Sequence, residues 1–79
     1  MKKQIKQLKE LFNSEKIAVE KVEVEDNHFF VVSTSKDHLG MDTIAKINNK
    51  LWFALKISND NISIQSISNK LSFAINWHS

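Results

Sequence analysis

Seventy-nine residues, 42% of them hydrophobic and 25% charged, describe one small globular domain that leaves no room for a second. A chain of this length buries only about 60 to 65% of its unfolded surface, so a stability of a few kcal/mol is expected. The absence of cysteine excludes a disulfide framework, a thiolate nucleophile and a zinc ribbon, and a formal charge of +2 carried only by lysines falls short of a dedicated nucleic-acid arm.

The N-terminus, MKKQIKQLKE, has a basic opening like that of a signal peptide, but no uninterrupted apolar stretch follows it. No apolar run anywhere reaches membrane-spanning length, so a cytoplasmic, soluble, monomeric protein with no membrane partner is expected. From Lys2 to Phe12, Ile5, Leu8 and Phe12 recur at helical spacing beside a stripe of Lys2, Lys6 and Lys9, which predicts an amphipathic helix ended by Asn13 and Ser14. Residues 17–25 carry Val19, Val22 and Val24 between charged residues, a strand pattern whose alternation slips between Val19 and Val22, so the strand proper is placed near Lys21. Residues 28–35, HFFVVSTS, predict a second strand, and Glu25-Asp26-Asn27 supplies the turn that makes the two a hairpin.

The only glycine, Gly40, ends a loop over residues 36–40 and can take a positive φ where the chain swings into a helix. Asp42 is the expected N-cap. Ile44, Ile47, Leu51 and Leu55 then mark one face of a helix reaching about Lys56. Asn59-Asp60-Asn61 reads as a turn and Ile62 to Ile67 as a third strand with Ile62 and Ile64 inward. Asn69 to Trp77 reads as a short final helix containing Leu71, Phe73, Ile75 and Trp77. The predicted fold is a single small α+β domain over residues 1–79 in the order α-β-β-α-β-α, with a three-stranded mixed sheet covered by helices. Residues 44–54, IAKINNKLWFA, echo 64–74, IQSISNKLSFA, but a helical pattern in one and a strand pattern in the other argue against a structural repeat.

Several pieces, in this order and spacing, resemble the BolA family, a relative of the class II KH fold, over roughly residues 20–68. Glu23-Val24-Glu25-Asp26-Asn27-His28 is similar to that family's strand and turn ending in Ser-His, and Phe29 to Ser33 to its second strand. Gly40-Met41 resembles its Gly-Lys or Gly-Met turn, Leu51-Trp52 to Leu55 its Val-Tyr-x-x-Leu helix segment, and Ile62-Ser63-Ile64 its third strand. The sequence departs from the family at Ile47-Asn48-Asn49, where Arg-His-Arg or Lys-Gln-Gln is common, and at His38, where the family has phenylalanine. Asp60 falls where the family has the histidine associated with an iron–sulfur cluster shared with a monothiol glutaredoxin.

The resemblance implies a non-enzymatic adaptor or regulator that partners a monothiol glutaredoxin in iron–sulfur cluster handling. His28, at the mouth of the hairpin, is the first metal-ligand candidate, because neutral imidazole binds iron or zinc. Asp60 is the second, as a harder oxygen donor. Without cysteine the chain could hold a [2Fe-2S] cluster only jointly, a partner's thiolates completing it. His38 and His78 are weaker candidates. A second reading is a KH-like nucleic-acid-binding transcription regulator using the turn at Gly40 together with Lys46 and Lys50, which flank Phe53 on the helix. Against it, His38-Leu39-Gly40-Met41 lacks the second glycine of a Gly-x-x-Gly loop, and Phe53 is expected to pack under the C-terminal helix against Phe73 or Trp77. A third reading is a small protein-interaction module with neither activity. No nucleophile elbow or glycine-rich phosphate loop is present, so the chain is not expected to be an enzyme.

Overall fold

A computed structural model of the protein describes residues 2–78. The first amphipathic stripe forms helix α1, Lys2–Ser14, which buries Leu8, Leu11 and Phe12 and turns its lysines to solvent. The aliphatic ridge forms helix α2, Met41–Leu55, with Ile47 and Leu51 fully buried and Leu55 partly so. Both helices stop the same way. Lys16 and Lys56 adopt left-handed backbone at φ 62° and 60°, and the isoleucine that follows each is buried in the core. Its amide donates back into the helix, Ile17 to Phe12 O at 3.1 Å and Ile57 to Leu51 O at 3.0 Å. A lysine there accepts a small steric cost to satisfy helix carbonyls and anchor an apolar side chain.

The start of α2 differs from expectation. Gly40, not Asp42, is the N-cap residue, and its φ of −67° and ψ of 155° are open to any residue. The loop before it is long enough to turn without a left-handed glycine. Asp42 sits inside the first turn, where its carboxylate still meets the positive end of the helix dipole.

Four strands, β1 (Val19–Glu25), β2 (Phe29–Thr34), β3 (Ile62–Ile67) and β4 (Lys70–Asn76), form one sheet in the order β1-β2-β4-β3, every neighbouring pair antiparallel. The α+β class holds, but the three-stranded mixed sheet and the final helix do not: residues 70–76 are the strand inserted between β2 and β3. The reason lies in a spacing of two. On a helix Leu71, Phe73, Ile75 and Trp77 would scatter around the axis, whereas on a strand all four share one face. The slip in alternation near Val19 is a β-bulge, where the register shifts between Val19 and Lys21.

Cross-strand partners define that inner face. Val24, Phe30, Ile75 and Ile62 lie in one row and Val22, Val32, Phe73 and Ile64 in the next. The helices pack on it, Phe12 meeting Phe73 edge-on at 4.9 Å between ring centroids and Phe30 lying 5.7 Å from Trp77. Their cover fades toward β3. Ile62 is half-buried and Ile64 is 36% exposed, so both lie on the inner face as expected but Ile64 is left largely uncovered.

Candidate functional site

The end of the sheet at the β1–β2 turn gathers two imidazoles. Asp26 and Asn27 take left-handed backbone at φ 53° and 64°, and His28 closes the turn with its amide on Glu25 O at 3.2 Å. Its Nδ1 lies 2.8 Å from Asp26 O. A carbonyl can only accept, so Nδ1 carries a proton, and in the neutral ring Nε2 is the nitrogen left to ligate. The His28 carbonyl accepts the Trp77 amide at 2.8 Å, which brings the next residue, His78, onto the His28 ring. The two rings stack with centroids 4.7 Å apart and planes 20° from parallel. Reading residues 69–77 as a helix hid this pairing; the two-residue alternation through Trp77 was the signal that could have revealed it.

Asp60 lies in a short 3-10 turn, Asn59–Asn61, leading into β3. His28 directly precedes β2 and Asp60 lies in the turn before β3, and β4 separates those two strands by two spacings, about 10 Å. Among the described residues no three His, Cys, Asp or Glu side chains converge to hold a metal ion.

Gly40, Lys46 and Lys50 occupy the start and outer flank of α2, with Gly40 and Lys46 exposed. Lys50 is committed elsewhere, its Nζ lying 2.5 Å from Glu15 Oε2 and 2.7 Å from Ser14 Oγ. The hydrogen bond from Lys50 holds the Glu15 carboxyl below its ordinary value, with desolvation opposing and the charges of Lys50 and Lys46 assisting. Much of the positive field of this pair is thus answered inside the molecule. Phe53 does not pack under a C-terminal helix. It is 71% exposed, because the residues expected to cover it, Phe73 and Trp77, are strand-borne core. Trp52 beside it is 47% exposed and shares a hollow with Asn49, Ser58, Asn59 and Asp60. Sequence reasoning passed over Trp52, although its place off the Ile47-Leu51 ridge was readable.

The sheet face opposite the helices holds a shallow hollow of about 460 Å³ lined in part by Glu20, Glu23, Val31, Ser33 and Lys70. Lys70 Nζ reaches Glu20 Oε2 at 2.6 Å across β2, which closes part of that surface with an exposed ion pair.

No family model, curated protein or solved structure matches this chain. No helix among the described residues is long and apolar enough to cross a membrane.

Proposed function

We propose that this chain is a non-enzymatic adaptor whose work is to bind another protein. The observation that carries this reading is the exposure of Trp52 and Phe53 side by side on α2, together with Met41 at the start of the helix. Large apolar side chains are costly to leave in water on so small a domain. Trp, Phe and Met are also the types enriched where proteins meet, and tryptophan is frequent among the residues that dominate binding energy.

The BolA-like segment names the partner to try first, a monothiol glutaredoxin carrying a [2Fe-2S] cluster. His28 supports this narrower reading: its Nδ1–H is engaged by Asp26, its Nε2 is free to donate, and His78 lies against it. The chain would offer imidazole and the partner thiolate. Support comes from this local segment and not from the sheet, whose four antiparallel strands differ from the mixed sheet the resemblance implies. The KH-like reading has Phe53 and Lys46 both exposed, about two turns apart on α2, in its favour and the Lys50–Glu15 pair against it.

The test mixes the purified protein with cluster-loaded glutaredoxin and follows co-elution, visible absorption and circular dichroism. Trp52→Ala/Phe53→Ala is expected to abolish co-elution, and His28→Ala to abolish the spectral change while leaving co-elution in place. Absence of both signals in the wild type removes the glutaredoxin partnership. Co-elution that survives the double substitution removes α2 as the contact surface. Salt-sensitive binding of single-stranded RNA or DNA, lost in Lys46→Ala, would favour the nucleic-acid reading instead.

A further inference from the structure

β3 is an outer strand, with no strand beside it on its free side. The turn Ser68-Asn69 joins it to β4 with Ile67 opposite Lys70. In a two-residue hairpin that closing pair exchanges hydrogen bonds, and bonded pairs alternate along the ladder. Ser63 and Gln65 therefore also bond to β4, while Ile64 and Ser66 aim N–H and C=O outward and Ile62 offers its C=O alone, its N–H being held by Asn59 O. The same alternation is visible across β4, where Leu71 and Trp77 donate to Lys36 and His28 on the side away from β3.

The two edges of the sheet are treated differently. β1 is blunted by a bulge and by Glu20, Lys21, Glu23 and Glu25, the usual defences against edge-to-edge pairing. β3 has no such defence. From Ile62 to Asn69 there is no charge and no proline, and its register with β4 is unbroken.

We infer that β3 is the interface of a symmetric homodimer, pairing antiparallel with β3 of a second copy to give one continuous eight-stranded sheet. A two-fold axis normal to the sheet keeps both sets of helices on one side, and it requires partners drawn from the same face. With Ile64 opposite the second copy's Ile64 and Ile62 opposite its Ser66, about four hydrogen bonds form, two between the Ile64 residues and one from each Ser66 N–H to the facing Ile62 carbonyl. Ile62 and Ile64 of both copies then form one apolar cluster on the helix side, which covers the exposed Ile64. Charge selects a second copy as the occupant. An uncharged strand meets itself without repulsion, whereas β1 against β1 would crowd glutamates. The assembly also closes, because its outer edges are the two blunted β1 strands.

Sedimentation equilibrium is expected to give twice the 9.1 kDa of one chain as concentration rises. Ile64→Lys puts a charge at the axis, and Ser66→Pro removes an outward N–H without touching the β3–β4 ladder. Both are expected to remain at one chain mass with unchanged far-ultraviolet circular dichroism. In the wild type, the amides of Ile64 and Ser66 gain hydrogen-exchange protection with concentration, a readout that does not depend on any variant folding. The inference is overturned by a single chain mass up to about 1 mM, the weakest affinity worth considering. It is overturned equally by a dimer that survives both substitutions, by assemblies larger than two, or by edge amides that stay unprotected. Glutaredoxin plays no part in these measurements, so their failure and that of the adaptor reading are separate results.

Discussion

Lys50 on α2 joins the two helices by reaching Glu15 just beyond the end of α1, with Nζ 2.5 Å from the carboxylate oxygen. Ser14 Oγ, 2.7 Å from the same ammonium and 2.6 Å from Leu11 O, completes the link. Two helices that touch the sheet separately are thereby held to each other through polar groups at their rim.

This pair predicts a pH dependence of known sign. The Glu15 carboxyl is lowered from 4.5 in the folded chain, first by the Lys50 hydrogen bond, so its contribution is present above that value and is lost as acid protonates it. Glu15→Gln is expected to reduce the urea midpoint near neutral pH and to converge with the wild type well below 4.5. A difference that persists undiminished in acid would show that the pair contributes nothing through charge.

Thr34 is fully buried, and its hydroxyl donates to Leu71 O at 2.9 Å, tying the end of β2 to the start of β4. Thr34→Val keeps the shape and removes the donor, leaving a carbonyl short of a partner, a loss of about 1 to 3 kcal/mol. Urea denaturation measures it directly. A cost near zero would mean that water replaces the hydroxyl.

At the head of α2 the prediction runs toward greater stability. Gly40 caps the helix with no side-chain acceptor, and a Cβ there would meet nothing within 4 Å. Gly40→Ser supplies the missing acceptor and restricts the unfolded chain, so a gain of about 0.5 to 1 kcal/mol is expected. A destabilised Ser variant would contradict the extended backbone of this residue.

Much of the architecture was legible where a single period ran unopposed. Ile5, Leu8 and Phe12 marked α1, Ile47, Leu51 and Leu55 marked α2, and the slip after Val19 was a bulge written into the alternation. The polar turn at Asp26-Asn27 was equally plain. Its twin was not: Ser68-Asn69 takes the same pair of left-handed angles, 53° and 64°, but the segment after it was assigned the wrong period. Within the candidate site, His28 could be singled out from its turn, whereas the approach of His78 depended on β4 being a strand. The exposure of Phe53 likewise followed from that one assignment.

The two echoing segments mark the boundary between what the chain specifies locally and what packing settles. Residues 44–54 and 64–74 share Ile at the first and fourth positions, Asn-Lys-Leu in the middle and Phe-Ala at the end, yet one lies in α2 and the other forms the β3–β4 hairpin. The sequence by itself determined a small α+β domain, its two helices and its first hairpin, because periodic burial and turn residues leave those elements one low-energy choice. Only the tertiary structure decided that residues 70–76 enter the sheet between β2 and β3. There Phe73 and Ile75 could be fully buried beneath the helices and the backbone of β4 bonded on both sides, and those long-range gains outweigh any local leaning toward helix.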